Sequence, residues 1–225
     1  MDSSIATKEN DRIWCKKKQE ITYRELRKED YRQMERILGD TWGFSRRCKD
    51  QKVVRLLEKS YWASLLTQEN FARVALINGK PVGVVLARKE GKGRKNFTMN
   101  FRGLFYGIRL GLSQEGRSNL KLFRELNRQN RQMFKEQGEK FDGELIYLNI
   151  LRSKKGKGMG TQLWEDAKAF IKENGGKNFF FFTDTTCDYK FYEKKGCQRI
   201  CASEKIVDIS GQRKHLEMFI YKYEL

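Results

Sequence analysis

Three glycines at alternate positions, Gly156, Gly158 and Gly160, lie between an apolar run and a segment with helical periodicity. Glycine has no Cβ atom, so the backbone amides of this loop stay accessible to a ligand. The loop also enters a helix, whose first N–H groups lack intrahelical partners and attract anions. Three lysines add positive charge beside them: Lys154, Lys155 and Lys157. These residues predict a site for a polyphosphate.

The spacing of the glycines limits which polyphosphate site this can be. A dinucleotide fingerprint needs G-x-G-x-x-G, and a P-loop needs G-x-x-x-x-G-K followed by Ser or Thr. Residues 152–160 have the sequence RSKKGKGMG, which contains neither pattern. The loop is therefore predicted to hold phosphate groups by another arrangement.

Hydrophobic periodicity places the loop inside a βαβ unit. Residues 144–151 are predicted as a strand, and the apolar run at 179–182 as a second strand buried on both faces. Between them, residues 161–173 carry apolar side chains at helical spacing, and Gly175-Gly176 supplies the stop signal. A strand, a glycine loop, a helix and a strand make up one βαβ unit.

The rest of the chain is predicted to mix strands and helices. Further strands are predicted at 20–27, 71–77, 80–87, 198–207 and 215–223. One further helix is predicted to start at the N-cap Asp30 and to end or loosen at Gly39. Two more helices are predicted at 50–68 and 185–195. Turns are predicted at Asn78-Gly79, a strong hairpin signal, and around Ser210-Gly211. Residues 1–19 are polar and aperiodic, and we expect a mobile arm there before a single domain at 20–225.

Residues 92–140 are predicted as an insertion of about two helices, because loops of this length usually carry structure of their own. The first includes Phe101 to Leu112, and the second covers 118–137. This insertion could shape the mouth of an acceptor site, form a dimer contact or bind RNA. Equally, it could be a solvated helix pair that caps one edge of the sheet. We expect its apolar residues to pack and its many arginines to face solvent.

Two segments together resemble the GNAT superfamily, the acyl-CoA-dependent N-acyltransferases. Residues 155–160 (KGKGMG) are similar to the family's [Q/R]-x-x-G-x-[G/A] loop. Residues 183–196 (TDTTCDYKFYEKKG) look like its N-x-x-x-x-F-Y-x-x-x-G-F signature, in the family's order and separation. Three positions depart from the pattern: Lys155 replaces Arg or Gln, Asp188 replaces Asn, and Cys197 replaces Phe.

The resemblance implies an α/β (α+β) fold. The expected architecture is a mixed, mostly antiparallel central sheet in which parallel strands 4 and 5 splay apart. Helices should cover both faces, with the helical insertion before strand 4. The helical pair at 30–68 would lie over the acceptor side, where four aromatic residues either line a substrate pocket or belong to the core: Trp42, Phe44, Tyr61 and Trp62.

The resemblance also implies an activity, the transfer of an acetyl group from acetyl-CoA to a primary amine within a ternary complex. Tyr192 matches the general acid that protonates the CoA sulfur, and its alternative role is packing. Glu144 matches the general base of some members, and its alternative is a salt-bridged glutamate. Cys187 is not expected to act as a nucleophile, because no histidine is close in sequence. Further positions would bind the cofactor: Ile150, Leu151, Arg152, Lys155, Gly156, Lys157, Gly158, Met159, Gly160, Thr161 and Asp188.

Composition sets the remaining expectations. Lys and Arg number 47 against 29 Asp and Glu, a formal net charge of +18 that favours anionic partners or reflects solvated charged faces. Five cysteines without C-x-x-C spacing and one histidine predict no metal site. The chain shows neither a signal peptide nor a long apolar run, so a cytoplasmic protein without a membrane partner is expected. An acyl-CoA sensor without turnover, or a basic RNA-associated module, is the alternative to an enzyme, and a homodimer stays open.

Overall fold

A mixed sheet of seven strands organises the described part of the chain. The computed structural model describes residues 19–91, 97–209 and 212–225. The predicted N-terminal arm therefore lies outside the described residues except for Gln19. The first residues of the predicted insertion, 92–96, and the turn at Ser210-Gly211 lie outside them as well.

The sheet has the order β1-β2-β3-β4-β5-β7-β6. Its strands are β1 (Ile21–Glu25), β2 (Phe71–Ile77), β3 (Lys80–Lys89), β4 (Gly143–Ile150), β5 (Asn178–Asp184), β6 (Gln198–Ile209) and β7 (Gln212–Glu224). Neighbouring strands pair antiparallel throughout, except that β4 and β5 are parallel. The predicted mostly antiparallel sheet with parallel strands 4 and 5 is confirmed.

Helices cover both faces of this sheet, as predicted. They are α1 (Tyr31–Trp42), α2 (Phe44–Arg47), α3 (Gln51–Leu65), α4 (Phe97–Gly111), α5 (Gln114–Gln137), α6 (Met159–Glu173) and α7 (Tyr189–Lys194). One face carries two apolar clusters beneath α1 to α5, and the other carries the cluster beneath α6 and α7. None of the described helices has both the length and the apolar character needed to cross a membrane.

The N-terminal helices differ from the prediction at two residues. Asp30 does not cap α1 with its side chain, since its carboxylate pairs with Arg24 at 2.7 Å and accepts from the Arg27 amide. Gly39 does not end the helix, which continues to Gly43 at φ +65°. A Cβ atom at Gly39 would lie 2.5 Å from Oε1 of Glu58, so this glycine allows α1 and α3 to approach.

Local turn chemistry sets several other boundaries. Asn78 and Gly79 both have positive φ, as a two-residue hairpin turn requires, and the predicted hairpin is confirmed. The helix predicted at 185–195 begins only at Tyr189. The reason is a turn held by Asp184, whose carboxylate accepts from the Thr186 amide at 2.7 Å. Residues 185–188 therefore belong to the turn and not to the helix.

The insertion forms two helices, as predicted, but they have different roles. The second starts at Gln114 because Ser113 caps it, its Oγ accepting from the Gly116 amide at 3.0 Å. It does not merely cap a sheet edge, since Phe123 contacts Tyr61 and Phe134 contacts Phe180 on β5. The apolar residues of α4, in contrast, are mostly exposed, and their expected packing role was wrong.

Candidate active site

The cleft begins where β4 and β5 separate. These strands share one register pair, Glu144 with Phe180, near the start of β4, and they diverge beyond it. The predicted splay of strands 4 and 5 is thus present. The gap opens into a cleft of about 1260 Å³, whose walls include the glycine loop, β4, the end of β5, α7, and parts of α1, α3 and α5.

Backbone amides of β4 face this gap. The Leu151 amide donates to the Val82 carbonyl at 2.7 Å, towards β3. Because successive N–H groups of a strand point in opposite directions, the amides of Ile150 and Leu148 are directed towards β5. Leu151, predicted as a cofactor contact, has its amide occupied and is not part of the cleft wall. The Ile150 amide, predicted as a cofactor contact, is thus available to donate to a ligand. The Leu148 amide is available as well, although this residue was not among the predicted contacts.

The glycine loop offers open backbone at the start of α6. Gly156 has φ +81°, and Gly158, the N-cap of the helix, has φ +77°. A Cβ atom at either position would meet nothing within 4 Å, so both glycines face open space. The first helical bond runs from the Gln162 amide to the Gly158 carbonyl at 3.0 Å. The three preceding amides, 159–161, therefore remain for a ligand.

Side chains of the loop differ in what they can contact. Met159 is 1% exposed and packs in the core, so only its amide can serve a ligand. Thr161, Lys155 and Lys157 are exposed on the cleft wall, and the Lys157 ammonium contacts the side-chain oxygen of Gln19. Arg152 is exposed in a short 3₁₀ turn and does not line the cleft.

Tyr192 lies on the wall opposite the β4 edge. Its ring packs 4.4 Å from Phe181 and 5.7 Å from Trp164, between centroids, which fixes its direction. Burial raises the pKa of the Tyr192 phenol, and the thiol of Cys187 acts in the same direction. The phenol therefore keeps its proton at neutral pH. Tyr189, on the same helix, packs instead against Phe219, 5.4 Å away.

Asp188 and Cys187 lie on the same wall, just before α7. Asp188 precedes the helix without a capping bond from its side chain and is exposed. Burial and Asp184 raise the pKa of the Cys187 thiol, which disfavours the nucleophilic thiolate. All four cysteines in the described part of the chain are free. Within those ranges, no cluster of His, Cys, Asp or Glu side chains is placed to hold a metal ion.

Glu144 lies at the far end of β4, on the cleft wall. It is 9% exposed, and its Oε2 accepts from Nη2 of Arg88, on the neighbouring strand, at 2.8 Å. Burial raises the pKa of this carboxyl, while the Arg88 charge opposes the rise. Both roles considered for Glu144 therefore have a physical basis. The raised pKa suits a base, and the bond to Arg88 makes it a salt-bridged glutamate.

Three-dimensional comparison identifies this arrangement, although no family model and no curated protein matches the sequence. Polyamine N-acetyltransferase of Drosophila melanogaster superposes with a TM-score of 0.53 at 16% identity, over 92% of this chain and 100% of that chain. An N-acetyltransferase from Staphylococcus aureus Mu50 gives 0.52 at 12% identity, over 91% and 98%. A GCN5-related N-acetyltransferase from Rhodopseudomonas palustris gives 0.51 at 13%, over 91% and 95%. The chain has the GNAT fold.

A polar group on the cleft wall was not predicted from the sequence. Nδ2 of Asn149 donates to the Tyr147 hydroxyl at 2.9 Å and to Oγ1 of Thr41 at 2.8 Å. Burial raises the pKa of Tyr147, so it stays a protonated phenol. The two β4 residues are two apart and share a face, which is a signal that alternation could have given.

The aromatic residues divide between cleft and core. Trp42 and Tyr61 line the cleft, with ring centroids 5.1 Å apart. Phe44 is 0% exposed and Trp62 is 1% exposed, and both belong to the core. Phe123 of α5 completes the aromatic wall, 5.0 Å from Tyr61. The insertion thus shapes the mouth of the cleft, one of the roles left open by the sequence.

Proposed function

We propose that this chain is an N-acetyltransferase that moves the acetyl group of acetyl-CoA directly to a primary amine within a ternary complex. The observation that carries the proposal is the gap between β4 and β5. It has open amides and the glycine loop at one side and the Tyr192 phenol at the other. The acceptor is a small-molecule or peptide amine entering from the side of α1, α3 and α5.

The residues of the gap fit a CoA ester. A diphosphate would accept from the amides 159–161 and from the loop around Gly156 and Gly158, where no Cβ atom obstructs it. Lys154, Lys155 and Lys157 supply positive charge for its phosphates. The pantetheine amides would pair with the free edge of β4 at Leu148 and Ile150, as an added strand does. Its thioester then lies inside the cleft.

Acetyl transfer needs a carbonyl that is polarised, an amine that is neutral and a sulfur that is protonated as it leaves. The amine nitrogen attacks the thioester carbon, so that a C–N bond forms and the C–S bond breaks with its electron pair on sulfur. A β4 amide, Ile150 or Leu148, would stabilise the oxygen charge that develops. Tyr192 donates its proton to the sulfur, and solvent later restores it.

The amine proton would leave through water towards Glu144. Glu144 and Ile150 are separated along β4 by roughly 20 Å at the rise of a strand, which is too far for direct transfer. A raised carboxyl pKa suits a base that accepts a proton near neutral pH. Arg88 would then set the pH at which this base becomes ionised.

Replacing Glu144 with glutamine should lower kcat/KM about tenfold near neutral pH, within the range of general-base effects that act through water. The difference in kcat/KM between the wild type and this variant should shrink as the pH approaches the pKa of the acceptor amine, because the amine then needs no base. Replacing Arg88 with glutamine removes the charge that holds the Glu144 pKa down. The acid limb of the kcat/KM profile should therefore move to higher pH.

The matched control is Arg73→Gln, which breaks a second arginine–carboxylate pair, with Asp166 of α6 at 3.2 Å. It should leave the pH profile unchanged. If Glu144→Gln has the wild-type profile at every pH, the glutamate is a structural salt-bridge partner, and the base is water alone.

Acetyl-CoA should stabilise the chain against heat. A ligand at one hundred times its dissociation constant adds about 2.7 kcal/mol to the free energy of unfolding. We expect a clear rise in the melting temperature with acetyl-CoA and a smaller one with single-stranded RNA at equal phosphate concentration. A rise with RNA alone would favour the RNA-associated module. Stabilisation by acetyl-CoA without thiol release from any amine in a broad panel would favour the sensor.

A further inference from the structure

The α4 helix exposes most of its large apolar side chains to solvent. Its inner side carries the buried residues Met99 and Leu110 and the small residue Gly103, where a Cβ atom would lie 4.0 Å from Cβ of Ala63 on α3. Its outer side carries the large apolar residues. We define the α4 apolar face as five side chains with exposed fractions of 77%, 62%, 55%, 61% and 79%: Phe101, Leu104, Phe105, Ile108 and Leu112.

These five positions recur at helical spacing, so they form one stripe and not scattered exposed residues. A folded protein rarely leaves a contiguous apolar surface of this kind in water unless it meets a partner there. The cleft does not use it, because none of the five residues lines the cleft wall. The stripe therefore needs an occupant other than acetyl-CoA or the acceptor.

The charged residues of α4 itself are positive. Residues 97–112 contain no Asp or Glu, and their charged residues are Arg102 and Arg109. The Arg109 guanidinium lies 5.7 Å from the Phe105 ring, and the Lys59 ammonium lies 5.8 Å from the ring of Tyr106. The Arg117 guanidinium donates to the Gly111 carbonyl at the end of the helix, at 3.0 Å. Cations thus lie beside the apolar stripe, and one of them, Arg102, also interacts electrostatically with Glu35 of α1.

A second copy of the chain fits this surface poorly. Two copies meeting through α4 would bring the same arginines together, and like charges repel. A stable protein interface also covers about 800 Å² on each partner, which is more than one short helical stripe offers. The surface of an anionic bilayer meets both conditions, because it accepts apolar side chains and pairs its phosphates with the flanking cations.

We propose that the α4 apolar face docks on an anionic membrane surface, with the helix lying in the plane of the headgroups. The five apolar side chains enter the acyl boundary, and Arg102 and Arg109 extend towards lipid phosphates. This docking is peripheral and needs no membrane-spanning helix. The lack of a long apolar run in the sequence excludes only such a spanning helix. It is independent of the proposed acetyl transfer.

Co-sedimentation of the full chain with lipid vesicles tests the proposal. Vesicles of phosphatidylcholine mixed with phosphatidylglycerol should bind the chain at low salt, and vesicles of phosphatidylcholine alone should bind it weakly. Phe101→Ser or Ile108→Ser should lower the partition coefficient about tenfold each, since each removes a large apolar side chain from the boundary. Arg109→Gln should lower it about fivefold on the mixed vesicles.

Ile206→Ser is the matched control, since Ile206 is 64% exposed on β6, outside α4. It should bind vesicles like the wild type. Absence of wild-type binding to the mixed vesicles, equal binding to both vesicle types, or binding unchanged by the α4 variants would each overturn the proposal. So would a doubling of the mass by light scattering that Phe101→Ser removes, because the stripe would then join two copies.

Discussion

Replacing Gly158 with valine is expected to abolish CoA binding in a chain that still folds. The valine side chain would project into the open space in front of the first amides of α6, where the diphosphate is proposed to lie. We expect the dissociation constant of CoA to rise at least about 100-fold, which corresponds to about 2.8 kcal/mol. Isothermal titration calorimetry with CoA measures this directly.

Gly175→Val separates the blocked site from backbone strain. Gly175 follows the other end of α6, has the same φ of +77°, and would also place its Cβ atom in open space. Both variants should lose about 1–2 kcal/mol of folding stability from the left-handed conformation. CoA affinity should fall only in Gly158→Val. Equal affinities in the two variants would remove the diphosphate from the glycine loop.

Replacing Tyr192 with phenylalanine should lower kcat about 100-fold, the lower part of the range for a general acid, with CoA affinity unchanged. The ring contacts with Phe181 and Trp164 do not need the hydroxyl, so the fold should persist. The measurement is CoA-thiol release with any amine that the wild type acetylates. Because the Tyr192 pKa is raised, the wild type should keep its activity well into the alkaline range.

Tyr189→Phe is the matched control for this variant. Tyr189 lies on the same helix, but its ring contacts Phe219 and the Arg199 guanidinium instead of the cleft. It should retain the wild-type rate. If Tyr192→Phe and Tyr189→Phe turn over equally fast, Tyr192 is a packing residue, and the leaving thiolate takes its proton from solvent.

The central βαβ unit could be predicted because its determinants are local. Glycines that fix a loop, a helical stripe and a stop signal lie within one segment, and the predicted end of α6 at Glu173 agrees with the structure. The hairpin at Asn78-Gly79 follows equally from two residues that tolerate positive φ. Resemblance to two family motifs then supplied the mostly antiparallel sheet in which strands 4 and 5 are parallel.

What could not be predicted depends on contacts between distant segments. The pairing of β3 with β4 slips at Ile146, so Ile146 and Tyr147, although adjacent, pack against the same apolar cluster. Strict alternation would have put these two neighbours on opposite faces. Likewise, no local pattern shows that α5 crosses the sheet to bring Phe123 to Tyr61, since that path is set by packing.

The single register pair between β4 and β5 has a consequence for the local opening of the sheet. Strands β1–β4 and strands β5–β7 form two ladders that share one register pair, so side-chain packing and bonds at the strand starts, such as Asp142 with Asn178, hold them side by side. Amide hydrogens along the inner edges should exchange with deuterated solvent faster than those deep in either ladder. A thioester bound between the ladders would bridge them, and its binding should slow that exchange.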